Sequence, residues 1–348
     1  MATAVYPGGS NTYIPSAEAT RGMIVEFSRN VADFRVNNYV QIMPVDKDRG
    51  RYLVMTIEEA GRLLNDQDDI WEDGDDAPDF RGETEKFKYE LYETIRRSKG
   101  YRIGKKAADQ APWDILAQHG RIKAQRMMTR RTQQVIAVAT TAGNYPSGHT
   151  SAVASITGNT GKWDESTTAR QDIRRSLRVA REQIRLATLG AVRADDFKLV
   201  MSPGCAGKIA ESQEIVDYLK GSPQALDYIK SNLGPNAQYG LPEKLYGVTV
   251  EIEDAVKVTS RKGAATVTKT AVLADTTPFL CSRPGGLVSD AGPESPRFST
   301  FTLFMYEEMT VEAKYDDDNR VNKGRITEDY ATEMTAEVAG YLFTAAVN

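Results

Sequence analysis

The chain has 348 residues, 41% hydrophobic and 26% charged, with a formal net charge of −4. Those proportions describe a folded globular protein, and the length suits two domains or one elaborated one. No run of about 18 apolar residues occurs, and residues 1–11 carry neither a basic nor an apolar leader segment, so neither a membrane-spanning helix nor a secretion signal is expected. An acidic balance also argues against tight nucleic-acid binding, which depends on clustered Lys and Arg releasing counterions.

Residues 1–40 contain Pro7, Gly8, Gly9 and Pro15 and keep no sustained period, which predicts an extended N-terminal arm lying on something else. Residues 52–57 read as a strand, and Phe87, Tyr89 and Leu91 alternate with Lys88 and Glu90 as a second. The connection between them holds Asp66, Asp68, Asp69, Glu72, Asp73, Asp75, Asp76 and Asp79, broken by Gly74 and Pro78. A long two-stranded ribbon is marginal alone in water, so this acidic hairpin implies a partner surface. An EF-hand is excluded, because counting from Asp69 puts Trp71 at the third ligand position and Phe80 at the twelfth.

Charge is divided sharply along this part of the chain. Residues 46–93 hold 16 Asp/Glu against 7 Lys/Arg, whereas residues 96–131 hold 11 Lys/Arg against only Asp109 and Asp114. The basic portion falls on the longest helical candidate, residues 113–142, with Gly143 as its stop. Ala117, Ala124, Met128, Val135, Ala139 and Ala142 form a narrow apolar stripe, with Lys123, Arg126 and Arg130 opposite and Arg121 and Arg131 beside it.

After a Gly/Ser/Thr-rich connection, helices and strands alternate. Ile173, Leu177, Ala180, Ile184 and Ala187 keep a 3.6 period closed by Gly190. Residues 197–201 read as a buried strand, and Ser202-Pro203 as the cap and first turn of a helix carrying Ile209, Val216 and Leu219 and ending at Gly221. The same sheet is expected to use residues 247–252 and 270–273. The last portion is β-rich: Val311, Ala313 and Tyr315 alternate, as do Tyr330, Thr332, Met334, Ala336 and Val338, around a turn at Asp316, Asp317, Asp318 and Asn319.

Chemistry-bearing patterns are few. His119 and His149 are the only histidines, and no Ser or Cys stands in a nucleophile motif. The stretch Gly204-Cys205-Ala206-Gly207-Lys208 has two residues between its glycines and Ile209 after its lysine, so it fails as a phosphate loop and reads as a helix start. Cys205 and Cys281 stand apart without zinc-ligand spacing and are expected to be free thiols of a reducing compartment.

The order is therefore an N-terminal arm, an acidic hairpin, a long basic helix, an α/β region and a β return. Over nearly the whole chain this resembles the major capsid proteins of tailed bacteriophages, the Hong Kong 97 type. The resemblance implies an α+β, HK97-like fold: an arm at 1–40, an extended β-hairpin loop at 41–104, and a peripheral domain at 105–167 with a spine helix at 113–143. An α/β axial domain would occupy 168–300, and 301–348 would return to the peripheral β-sheet. The implied function is structural. Copies would build an icosahedral shell as pentamers and hexamers, assembled in the host cytoplasm, with scaffolding, portal and decoration proteins as further partners. The shell would enclose double-stranded DNA through weak non-specific contact and have no membrane partner. No catalytic, cofactor or metal residue is implied, and the resemblance assigns no Lys, Asn and Glu of this sequence to an isopeptide crosslink. Encapsulin-type nanocompartments share this architecture. A cytoplasmic α/β enzyme with a divalent metal in the acidic loop and a monomeric adaptor are the alternatives of other classes. The charge division suggests an intersubunit contact of Asp66, Asp68, Asp69, Asp73, Asp75 and Asp76 with Lys123, Arg126 and Arg130 of an adjacent copy.

Overall fold

A computed structural model describes residues 33–55, 73, 87–111, 114–165, 171–190, 192, 194–220, 236–261, 264–283 and 299–348. Most of the expected arm and the acidic connection, apart from Asp73, lie outside these. A short helix α1 (Val36–Tyr39) leads into strands β1 (Gln41–Pro44), β2 (Arg49–Met55), β3 (Phe87–Glu93) and β4 (Ile95–Gly104). Helices α2 (Lys105–Gln110) and α3 (Ile115–Ala139) precede β5 (Thr150–Ala152), α4 (Asp172–Ala187) and β6 (Phe197–Met201). Helices α5 (Pro203–Ala210) and α6 (Gln213–Lys220) come next, followed by β7 (Lys244–Leu245), β8 (Val248–Ile252), β9 (Val256–Val258), β10 (Lys269–Ala271) and β11 (Phe279–Ser282). The chain closes with β12 (Phe301–Asp316), β13 (Val321–Met334) and β14 (Tyr341–Thr344).

Two larger sheets organise these elements. The first has the order β1-β12-β13-β4, with β1 parallel to β12 and the other pairs antiparallel. The second has the order β5-β14-β11-β6-β8-β7. Strand alternation divides the second sheet between two cores. Leu199, Met201, Leu280, Tyr341 and Phe343 face Ile173, Leu177, Ala180 and Ile184 of α4 and Ile209 of α5. Val200, Phe279, Cys281 and Leu342 face the opposite way, into a core shared with Met128, Val135, Ile136 and Ala139 of α3 and with Phe301, Leu303 and Met305 of β12. The second core thus joins the two sheets through α3.

Local signals explain most boundaries. Asp114 caps α3, its Oδ1 accepting from the Ala117 N–H at 2.9 Å, so the helix starts at Ile115 and not at residue 113. The hydroxyls of Thr140 and Thr141 donate back to the carbonyls of Ile136 and Ala137, and the helix stops before Gly143. Ser202 caps α5, accepting from Cys205 N–H, with Pro203 in the first turn. At the end of α4, Gly190 has φ +78° and its N–H reaches the Arg185 carbonyl, the left-handed closure that glycine takes without a Cβ clash.

Several expectations are corrected. The single helix from Pro203 to Gly221 is two, because Ser212 closes α5 by donating its N–H to Ile209 and opens α6 by accepting from Val216. Residues 270–273 do not join the α/β sheet: β10 pairs with β9 in a separate ribbon, its three residues exposed, and only Val272 and Leu273 enter the core. Of the expected apolar stripe, Ala117 is exposed on α3, and Ala142 lies beyond the helix end and is exposed too. The buried side instead holds Gln125, Met127, Met128, Arg131, Thr132, Val135, Ile136 and Ala139, because a paired Arg and backbone-bonded Thr are accommodated there. The last alternating run ends at Met334, since residues 337–339 form a turn of 3₁₀ helix. Strand β14 lies between β5 and β11, apart from β12 and β13. Finally, Phe34, Val36, Tyr39 and Val40, read as arm, belong to the core.

Candidate functional site

Three surfaces carry unfinished packing or unbalanced charge. The first is the ribbon β2–β3. Phe304 points away from Phe301, Leu303 and Met305, so it emerges on the side of the four-stranded sheet opposite α3. Tyr92 stacks on it at 4.5 Å between ring centroids, and Tyr52 lies against it at 5.3 Å. Tyr52 also donates its hydroxyl to Glu90 at 3.0 Å, and burial together with that carboxylate raises its pKa. A Cβ at Gly50 would meet the hydroxyl end of the Tyr92 ring, so a larger residue there would have to displace that ring from Phe304. The free side of the ribbon exposes Tyr89 at 62% and Leu91 at 70%, residues whose alternation predicts the strand. Of the acidic residues beyond, Asp73 is described and exposed. Asp66, Asp68, Asp69, Asp75 and Asp76 lie outside the described residues.

The second surface is an open sheet edge. Strand β1 covers β12 only from Thr302 to Met305, with Val45 N–H adding one bond to the Met305 carbonyl. Register shifts follow at once, between Met305 and Glu307 and between Glu307 and Thr310. From there to Asp316, β12 has β13 on one side and no strand on the other among the described residues, and Tyr306, Val311 and Tyr315 are exposed. Unpaired strand edges with apolar side chains are templates for association. At the tip, Lys323 and Asn319 bind the Asp316 carboxylate and hold its pKa down to about 2.

The third surface is the outer flank of α3. Lys123, Arg126 and Arg130 do share one side of the helix, Arg126 and Arg130 exposed and Lys123 half-buried. Arg130 donates to Gln133 at 3.1 Å. His119, one turn earlier, stacks on Tyr101 at 6.3 Å, and burial with the Lys123 and Arg126 charges lowers its pKa. The structure therefore gathers the basic half of the expected contact, on the side of the sheet away from the ribbon.

What positions these surfaces is a set of buried polar contacts that sequence reading missed. Arg131 leaves the inner side of α3 and meets Glu328 of β13. Tyr330 donates its hydroxyl to Gln134 at 2.5 Å, with the Arg97 guanidinium 4.3 Å from its ring centre. Tyr39 donates to Glu253 at 2.9 Å and packs edge-on to Phe279, so the segment entering β1 is fastened to the six-stranded sheet. Both histidines have structural surroundings: His149 is buried, its Nδ1 2.8 Å from the Gly340 carbonyl. Cys205 and Cys281 are free and buried, and burial pushes the Cys281 thiol up to about 12. Among the described residues, no three His, Cys, Asp or Glu side chains converge in a metal-binding group, and no helix is long and apolar enough to cross a membrane.

No family model matches the chain, and no curated protein matches it in sequence. Solved structures do. A phage-related protein from Bordetella bronchiseptica RB50 is similar with 14% identity and a TM-score of 0.60, over 90% of this chain and 93% of that one. The capsid of cyanophage P-SCSP1u is similar with 12% identity and a TM-score of 0.58, over 94% and 92%. The mature capsid of bacteriophage PhiM1 is similar with 13% identity and a TM-score of 0.53, over 99% and 92%. The likeness shows an α+β fold of the HK97-like capsid type along nearly the whole chain.

Proposed function

We propose, from this fold, that the chain is a major capsid protein whose copies close into an icosahedral shell around the double-stranded DNA of a tailed phage. The observation that supports it most is the match to capsid subunits over nine-tenths of both chains. The free surfaces agree with it. A ribbon that exposes Tyr89 and Leu91 and a strand edge that exposes Tyr306 and Val311 gain burial only when another copy covers them. The role is structural: the histidines and thiols serve packing, and none is paired with a catalytic partner among the described residues.

Within this reading, the acidic segment 66–79 contacts Lys123, Arg126 and Arg130 of an adjacent copy. Pairing inside one chain would require the segment to turn back around the sheet that separates the ribbon's root from the outer flank of α3. Light scattering and electron microscopy of the purified full-length chain, alone and with co-expressed phage assembly proteins, test the main proposal. Closed or polymorphic shells are expected, and a chain that stays monomeric under every condition would overturn it.

A further inference from the structure

Helix α4 carries a second basic surface, distinct from α3. Each buried apolar residue of its seam is followed by an arginine: Ile173 by Arg174, Leu177 by Arg178, Ala180 by Arg181 and Ile184 by Arg185. At 3.6 residues per turn those four arginines fall within an arc of roughly 60°, and at 1.5 Å per residue they run about 16 Å along the helix. Arg174, Arg178 and Arg185 are exposed, and Arg181 is half-buried with its Nε near the Leu177 carbonyl.

Three of the four charges are left unbalanced among the described residues: two nearby carboxylates are engaged elsewhere, and a third pairs with Arg185 alone. Asp172 accepts from the N–H and hydroxyl of Thr160 and pairs with Arg175. Glu214 accepts from the N–H groups of Ile173 and Arg174 and from the Tyr246 hydroxyl. Glu182 binds Arg185 through both oxygens. Among the described residues, Arg174, Arg178 and Arg181 have no carboxylate at ion-pair distance. Neighbouring like charges at helical i, i+3 and i+4 spacing repel, and Arg174 sits at the positive end of the helix dipole, so the row works against the helix that bears it. A bound polyanion would reverse both penalties.

We propose that this arginine row is the contact for the phosphate backbone of the enclosed duplex, which makes the α4 face the inner one; the inference rests on the shell reading. Arginine forks suit phosphate oxygens, the row matches roughly five base-pair steps of about 3.4 Å, and no aromatic side chain interleaves it to stack unpaired bases. About three phosphate contacts per copy, or four where Arg185 exchanges Glu182 for phosphate, make the binding weak and salt-sensitive, compatible with a chain of net negative charge.

The test uses unassembled full-length subunits and a fluorescein-labelled 20-base-pair duplex of arbitrary sequence, followed by anisotropy from low to moderate salt. The parent is expected to bind with a log–log salt slope of about −3 to −4, at roughly −0.9 per phosphate contact. Arg174→Gln, Arg178→Gln and Arg185→Gln together are expected to weaken binding at least tenfold and flatten the slope. Lys123→Gln, Arg126→Gln and Arg130→Gln together should leave both nearly unchanged. No binding by the parent, equal losses in the two variants, or loss only in the α3 variant would overturn the proposal. Shell formation is followed in parallel. Shells lost in the α4 variant with duplex affinity intact would make the row a subunit contact and overturn the proposal, leaving the capsid reading in place. If no variant or parent forms shells, the capsid reading fails while the titration still decides whether α4 holds the duplex.

Discussion

Arg131 of α3 and Glu328 of β13 meet at 2.6 Å with side chains 7% and 0% exposed, and Arg131 Nε and Glu328 Oε1 have no further hydrogen-bond partner. Desolvation of two such charges offsets much of their attraction, so the pair positions the helix on the sheet more than it stabilises the fold. Removing one partner strands the other. Arg131→Met or Glu328→Gln should therefore cost about 3–5 kcal/mol, whereas Arg131→Met with Glu328→Leu should come within about 1–2 kcal/mol of the parent. Denaturant melts of the four proteins check this, and single and double variants of equal stability would contradict it.

Alkaline pH should destabilise the subunit through its buried tyrosines. Burial, and for Tyr39 the Glu253 carboxylate, raises the pKa of Tyr39 and Tyr145 well above 10. The folded chain thus keeps protons that the unfolded chain sheds from about pH 10 upward, and stability present below that pH is lost as pH rises. Each such tyrosine steepens the decline by about 1.4 kcal/mol per pH unit. Tyr39→Phe should lower stability at pH 8 by about 1–3 kcal/mol, since Glu253 loses its hydroxyl donor, yet flatten the alkaline decline. Melts between pH 8 and 11.5 separate the two effects.

The acidic segment should matter to assembly by number. Exposed ion pairs contribute only about 0–1 kcal/mol each. Asp68→Lys, Asp69→Lys and Asp73→Lys together should impair shell formation while the subunit still folds, and adding Lys123→Glu, Arg126→Glu and Arg130→Glu should partly restore it. High salt should weaken parent shells, because exposed charges are screened over about 10 Å at 0.1 M. Normal assembly of the acidic variant at low salt, read by light scattering, would sink the pairing.

The open edge of β12 should be dispensable to the monomer and needed by the shell. Val311 is 62% exposed and points to no core, so Val311→Lys should change subunit stability by less than about 0.5 kcal/mol. A charge on an apolar edge is also a standard block to strand association. Shells formed by this variant should be fewer or melt lower in calorimetry, and shells as heat-resistant as the parent's would remove β12 from the list of contacts.

Sequence reading served best where a local rule decided the outcome. The α4 seam from Ile173 to Ile184, its glycine closure and the Ser202 cap are each set by neighbours within a few positions. It failed where the deciding partner is remote. Arg131 looked like a flaw in an apolar stripe because Glu328 lies 197 positions away. Phe34 to Val40 looked like arm because a four-residue helix is too short to show a period, although Tyr39 is fully buried. Alternation at Tyr89, Leu91 and Val311 was real, but in one isolated chain those faces look into solvent. The acidic half of the expected contact falls mostly outside the described residues, so the structure places only the basic half.

The antiparallel pairing of β13 with β4 joins Gly104 to Val321 and Ile95 to Tyr330, residues more than two hundred positions apart. Closing so long a loop has to precede the contacts that reward it, which slows folding. During synthesis β4 emerges early and waits without its strand partner until the β12–β13 hairpin leaves the ribosome. For most of its translation the nascent chain therefore lacks the strand that β4 pairs with, and an unpaired strand is a template for association with other chains. The yield of folded subunit should accordingly be set by how fast this pair forms, and fall at growth temperatures where association of unfinished chains outruns it.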